Sequence, residues 1–284
     1  MHAPSDTLAA RPERQVMAAW IAPFQLLSER RTLLRALIRR DLETALRGTM
    51  LGWLWVMLVP LILLAVYTFA FGVVFSAQWR DREPVPFLFP MLYFTGLLLF
   101  SLFTTCLNRA PGLMRENAAY IRQIVFPVHI FIPVVIGSEI VKFGVGLVIL
   151  ILAYLPLMGV PPLSALSYPV TVIGLFLFTA GVCWAVAAVA VFLRDLGQAM
   201  QPVSMILLFL SPLFYPLSTV PASIRWVFYL NPLTFPLEST RNALFFGEWP
   251  SMPGAIAYLI AGWACAVAGL ALFQRLRPGF ADVL

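Results

Sequence analysis

Apolar and polar positions fall in long blocks along this chain rather than at a short period. Six apolar blocks approach or exceed the ~20 residues that a helix needs to cross a hydrocarbon core of roughly 30 Å. They run from Trp53 to Phe75, Phe87 to Leu107, Val128 to Leu157, Tyr168 to Leu193, Ala199 to Leu217 and Met252 to Phe273. The third is long enough to tilt or to begin at the interface. Residues 20–47 follow another pattern. Leu26, Leu27, Leu33, Leu34, Leu37, Ile38, Leu42 and Leu46 recur at helical spacing among arginines and glutamates, although Arg31 and Asp41 fall near the apolar stripe. This predicts an amphipathic helix lying in the membrane surface. Residues 111–126 (PGLMRENAAYIRQIVF) open on a proline and stop before Pro127, which predicts a short surface helix. Residues 218–251 are too apolar for a plain loop yet are broken by Pro221, Pro232, Pro236 and Pro250. They predict two short helices dipping into the outer leaflet, where irregular backbone needs cover from protein or a water-filled cavity. The fold class expected is an all-α integral membrane protein, with six transmembrane helices, an N-terminal amphipathic interface helix and re-entrant external helices between spans five and six.

Composition agrees. Of 284 residues, 61% are hydrophobic and 11% charged, with a mean hydropathy of +0.89; a globular domain carries about 25% charged residues. A soluble chain of this length could not hide so much apolar side chain. A soluble enzyme, a disordered protein and a disulfide scaffold are thereby excluded. The basic residues sit beside the spans, so they read as orientation signals rather than a nucleic-acid face. Fourteen arginines fall on the side of the N-terminal segment, the second and fourth loops and the tail, against four on the other side. The positive-inside bias therefore predicts both termini in the cytoplasm. Residues 1–50 have no early apolar core, so no leader is expected. The chain divides into a tail and interface helix, 1–52, and a six-span membrane region, 53–284.

The chemistry is sparse. No G-x-x-x-x-G-K-[ST] loop exists and the only lysine, Lys142, lies in an apolar run, so this chain is not expected to hydrolyse ATP. His2 and His129 form no metal-binding pair, no G-x-S-x-G elbow appears, and Cys106, Cys183 and Cys265 sit in apolar runs as packing residues. The sharpest intramembrane feature is Glu139 with Lys142, three apart and so on one helix face. Charges there are costly and pair or face a polar cavity. Three readings stay open: a neutralised pair that fixes packing, a role in substrate passage or conformational coupling, or a proton relay. Trp53, Trp55, Tyr67, Phe69, Phe71, Phe75, Phe209, Phe214 and Tyr215 are lipid-facing bulk or a stacking surface for sugar rings, and periodicity does not choose.

A family resemblance runs through ordered pieces. Arg40-Asp41-Leu42, Arg47-Gly48-Thr49-Met50-Leu51-Gly52-Trp53-Leu54-Trp55, Pro60-Leu61 and the run Val66 to Phe75 resemble the opening of the polysaccharide-export permeases among type 2 ABC transporters, which serve O-antigen, teichoic acid and capsule. Asn117-Ala118 with Tyr120-Ile121-Arg122 and Phe126-Pro127, then Arg194-Asp195, then Ser211 to Pro216, then Asn231-Pro232-Leu233 with Glu238 and Arg241-Asn242, and the tail Phe280 to Leu284 continue it in order. The resemblance covers nearly everything after about residue 26. It implies a homodimer in the bacterial inner membrane, with one channel between the subunits and two copies of a separate ATP-binding subunit on the cytoplasmic side. That partner would carry ATP and Mg, and no cofactor is expected on this chain.

The same resemblance distributes roles. A coupling helix would span about 111–126, with Arg115, Glu116, Asn117 and Arg122 touching the ATPase. Gate helices would span about 221–247, with Asn231, Glu238 and Arg241. The expected cargo is a lipid-diphosphate-linked polysaccharide, O-antigen-like as first choice. Its diphosphate would meet Arg39, Arg40 and Arg47, because guanidinium groups bind phosphate bidentately. Tyr67, Thr68, Ser211 and Tyr215 would line the channel. The alternatives are a type 2 ABC exporter of a lipid or small molecule, an ion-coupled secondary transporter, which would often show inverted repeats with a midplane site, and a membrane enzyme, for which no catalytic constellation is visible.

Overall fold

The computed structural model describes residues 31–47, 50–70, 87–121 and 126–283, and among these every regular element is helical. The elements are α1 (Arg31–Leu46), α2 (Leu54–Tyr67), α3 (Leu88–Arg109), the short turns α4 (Leu113–Glu116) and α5 (Ala118–Ile121), α6 (Phe131–Met158), α7 (Tyr168–Phe192), α8 (Leu196–Leu210), α9 (Arg225–Leu230), α10 (Thr234–Phe245), α11 (Met252–Leu276) and the terminal turn α12 (Phe280–Val283). Among the described residues, four helical stretches are long and apolar enough to cross a membrane: Leu88–Arg109, Val128–Met158, Leu163–Phe192 and Met252–Gly279. Leu54–Ala70 and Leu196–Leu210 are apolar but shorter.

Local chemistry explains where helices end. The expected fifth span reaches Leu217, but α8 stops at Leu210, because Ser211 precedes Pro212 and takes extended backbone. A residue before proline is pushed out of the helical region by the ring. α2 loosens into a π-turn over residues 68–70, and residues 71–75 of the expected first span lie outside the described residues. α6 ends at Gly159, whose φ of +83° suits a residue without a Cβ. The segment 111–126, expected as one helix, is two four-residue turns as far as residue 121. Asn117 interrupts it: its side-chain amide donates to the Leu113 carbonyl at 2.9 Å and its own backbone leaves the helical region.

α3 is the central helix. In its most apolar stretch 72% of residues are buried, against 28% in the α6 stretch. α6 runs antiparallel to it, with Met91 and Phe94 near Ile149 and Leu150 at one end. At the other end Cys106 shares a core cluster with Phe131 and Val135. α1 lies along the start of α6, where a Cβ on Gly137 would strike Ile38. Leu33, Leu34, Leu37 and Ile38 are half-buried and Leu42 is buried, while Arg31, Arg35, Arg39 and Arg40 are exposed.

The most extensive helix pairing is α7 with α11. The two run parallel: a Cβ on Gly262 would meet the Gly174 carbonyl at 2.8 Å, and one on Gly269 would strike the Gly181 carbonyl. A Cβ on Gly181 would in turn strike the Cys265 carbonyl. Glycines seven apart on both helices thus let backbone touch backbone, the packing that small residues allow in an apolar surround. Ala187, Ala188 and Ala266 are fully buried in the same region.

Candidate functional site

Two polar regions stand at opposite ends of the helices. The first, at the arginine-rich end, joins α1, the end of α3, the α4 and α5 turns and the start of α6. Arg109 grips Asp41 through two donors, at 2.6 and 3.1 Å. Asp41 is the residue that spoils the apolar stripe of α1, and its partner explains why it faces inward. Burial pushes the Asp41 carboxyl up, but hydrogen bonding and charge from Arg109, with the charge of Lys142, outweigh this and hold it below its ordinary value. One turn along α6, the Lys142 ammonium donates to Glu139 at 2.6 Å. The pair expected from its three-residue spacing is therefore formed. Asp41, Arg109, Glu139 and Lys142 make a compact set of two acids and two bases drawn from three elements.

The residues expected at the coupling segment gather beside it. Arg115 donates to the Ala190 carbonyl at 2.9 Å, which ties α4 to the end of α7. Arg115 and Glu116 are otherwise exposed, and Asn117 is half-buried. Arg115 and Arg194 line a cavity of about 330 Å³ together with Ala118, Val191 and Val283. A smaller one of about 230 Å³ lies between α1 and α4, with Arg40, Asp41, Thr44, Glu116 and Asn117 on its walls. Arg122 lies outside the described residues, as do residues 20–30 of the expected interface helix. The three arginines assigned to the diphosphate part company. Arg39 is paired with Glu43 at 2.7 Å on the exposed face of α1, Arg40 donates to the Tyr120 hydroxyl at 2.6 Å, and Arg47 is exposed just beyond the helix.

The second region is the far end, where residues 211–247 fold onto α3, α7 and α8. Arg241 is 1% exposed, and its guanidinium donates to the carbonyls of Leu92 (3.1 Å), Pro212 and Leu213 (2.7 Å). Gly96 makes the room: a Cβ there would lie 2.5 Å from Arg241 Nη2. Asn231 donates to the Leu210 carbonyl and to Ser211 Oγ, while its own side-chain oxygen accepts from the Leu233 N–H at 2.9 Å. Glu238 accepts from the Leu217 N–H at 3.1 Å. The residues expected at an external gate are thus the staples that hold this irregular segment. Backbone polar groups freed by its prolines find side-chain partners, as an apolar surround requires.

The expected channel-lining residues are less exposed than that role suggests. Ser211 is buried, donating to the Leu207 carbonyl at 2.6 Å, and the Tyr215 hydroxyl donates to the Phe209 carbonyl at 2.6 Å. Tyr67, half-buried next to Thr68, stands edge-on to Tyr93 with ring centres 4.3 Å apart, and Tyr93 stacks on Phe214 at 5.0 Å. Sequence reasoning named Tyr67 and Phe214 but missed Tyr93, which joins them. It also missed Gly96 and Arg109 as partners of Arg241 and Asp41.

A bundle of long apolar helices, polar at its two ends and stapled where the backbone breaks, is a multi-pass membrane protein. The chain belongs to the ABC-2 type transporter family, which it matches over residues 32–245. It is 27% identical over 257 residues to the O-antigen export system permease protein RfbA of Klebsiella pneumoniae, covering 89% of this chain and 95% of that protein. It is 26% identical over 259 residues to the RfbA protein of Myxococcus xanthus, with the same two coverages. The polysialic acid transport protein KpsM of Escherichia coli is 23% identical over 224 residues, 78% of this chain and 82% of that one.

Proposed function

We propose that the chain is the membrane subunit of an ATP-driven exporter of lipid-linked polysaccharide in the bacterial inner membrane, with O-antigen-like glycan as first choice. Two copies form the channel and two separate ATPase subunits drive it. The observation that carries this reading is the set of relatives, O-antigen export permeases aligned over nine-tenths of the chain. Six crossings with both termini in the cytoplasm follow from the arginine distribution, and the path of α8 supports them.

The arginine-rich end gives the ATPase a grip. A push on α4 reaches α7 through Arg115, and α1 and α3 through the walls shared with Asp41 and Arg109. Arg115, Glu116, Asn117 and Arg122 are the contact set. Among the arginines assigned to the diphosphate, Arg47 is the one whose exposed guanidinium best fits that role, since Arg39 and Arg40 already have partners. The Tyr67–Tyr93–Phe214 stack with Tyr215 offers aromatic faces to sugar rings. The segment held by Asn231, Glu238 and Arg241 closes the far side.

The test is co-purification with the ATPase encoded beside this chain, followed by ATPase assay in vesicles with and without lipid-linked glycan. The expected result is a two-plus-two complex whose ATPase responds to glycan. A complex indifferent to glycan overturns the cargo, and failure of any ATPase to bind overturns the exporter.

A further inference from the structure

We propose that the cleft between α2, α3 and α6 holds one hydrocarbon chain of an anionic glycerophospholipid whose phosphate accepts hydrogen bonds from the Lys142 ammonium. The inference needs the chain to span a membrane, and nothing about its cargo.

The cleft has a volume of about 310 Å³, within the range of small-molecule sites. Trp55, Val59 and Leu63 of α2 form one wall, and Phe94 and Leu98 of α3 face them. Glu139 and Lys142 form the floor, with Ala45 of α1 beside them. Beyond the Ser101 hydroxyl and the Trp55 indole, a polar solute would find few partners along such walls. α2 has no fully buried residue, so the element that closes the cleft stands at the periphery of the subunit. In a bilayer the solute that reaches such a site is lipid.

The floor selects the headgroup. In the Glu139–Lys142 pair the carboxylate side chain is 7% exposed and the lysine side chain 35%, so the cleft meets the cation. An ammonium has three N–H donors. One goes to Glu139, and the others have no partner among the described residues. The neighbouring charges leave no spare anion: Asp41 is held through both oxygens by Arg109. Depth is suitable as well. Ala45 of the amphipathic helix shares the floor with Lys142, so the lysine stem can carry its charge toward the surface where that helix lies. Lysine binds phosphate as a point charge, which suits a mobile headgroup better than a rigid fork would.

The test is native mass spectrometry of the full chain in mild detergent, titrated with phosphatidylglycerol or phosphatidylcholine. The expected result is one retained lipid per chain, with phosphatidylglycerol favoured about fivefold: both lipids carry the phosphate, but in phosphatidylcholine the choline cation offsets it, so the preference is on the scale of one part-exposed ion pair. Val59→Trp and Leu98→Trp, on different helices, fill the cleft and should abolish retention of either lipid. The double variant Glu139→Gln with Lys142→Gln keeps a hydrogen-bonded neutral pair, so it should fold, retain lipid and lose the headgroup preference. Lys142→Arg should keep the preference. The proposal is overturned if both tryptophan variants retain lipid at the wild-type ratio, if phosphatidylcholine binds as well as phosphatidylglycerol, or if the glutamine pair leaves the preference unchanged. Extraction of a prenyl phosphate as the resident lipid would overturn the glycerophospholipid assignment.

Discussion

Asp41 shows how a single residue turns an amphipathic stripe into a docking instruction. On an isolated surface helix it would weaken the apolar face. Here it meets Arg109, with side-chain exposures of 19% and 32% for the two partners, and fastens α1 to α3. Asp41→Asn should therefore cost about 1.5–3 kcal/mol, the scale of hydrogen bonds to charged groups, read as a fall in the midpoint of thermal unfolding in detergent. The charge swap Asp41→Arg with Arg109→Asp should rescue only part of this. The new cation would face Lys142 and the new anion would face Glu139, both repulsive. Full rescue would show that the surrounding pair does not sense the exchange. The pH sign follows from the lowered carboxyl pKa. Stability from Asp41 is complete above its ordinary value of 3.8 and is lost as pH falls through the still lower folded value. The docking contact should thus show no pH dependence near neutrality. Arg241 is the corresponding residue at the far end. Arg241→Met keeps bulk but strands the buried Pro212 and Leu213 carbonyls, each costing about 1–3 kcal/mol, while the Leu92 carbonyl keeps its place in the α3 ladder. The variant should expose residues 211–247 to protease while the α7–α11 pair stays protected, and equal protection of that segment in both proteins would refute the staple role.

At the scale of elements, the α7–α11 seam is the strongest mechanical constraint. Gly181 faces backbone, and backbone cannot move aside as a side chain can. Gly181→Val should destabilise at or above the upper end of the about 1–3 kcal/mol usual for overpacking, whereas Gly144→Val, where a Cβ would meet nothing within 4 Å, should be far milder. Comparable melting temperatures for the two variants would disprove the backbone contact. The same seam shows what sequence could disclose. Long apolar runs announced helices because crossing length is written in consecutive residues. The spacing of Glu139 and Lys142 announced a pair because helix geometry alone brings such residues together. Small residues at Gly262 and Ala266 permit close packing, but glycines on one helix do not name the helix they face, and nothing local in the sequence marks Gly174 and Gly181 as partners. Arg241 to Leu92 spans 149 positions, and no local pattern encodes a contact at that separation. Helix ends were misjudged where proline acts on its neighbour, as at Ser211.

At the scale of the whole molecule, the path of α8 decides how many times the chain crosses. α7 and α11 run parallel, so the chain must return from the end of α7 to the start of α11. The segment after α8 sits at the beginning of α7: Ser164 donates to the Ala243 carbonyl at 2.7 Å, and the hydroxyls of Thr171 and Thr240 lie 3.4 Å apart. α8 therefore travels the length of the bundle, and Asn108 near the opposite end of α3 meets Ser204 on it at 3.0 Å. Its 15 residues span only ~22 Å at 1.5 Å each, short of a roughly 30 Å core. The turns and bends from Ser211 to Pro216, held by the Arg241 and Asn231 staples, continue from its end. Single cysteines placed at Arg47, Arg194, Val160 and Ser223 in a background lacking Cys106, Cys183 and Cys265 test this directly. A membrane-impermeant maleimide should label Val160→Cys and Ser223→Cys in intact cells, and Arg47→Cys and Arg194→Cys only after permeabilisation. If Arg194→Cys and Ser223→Cys reacted from the same side, α8 would be a re-entrant helix. The chain would then have an odd number of crossings, and its termini would lie on opposite sides of the membrane.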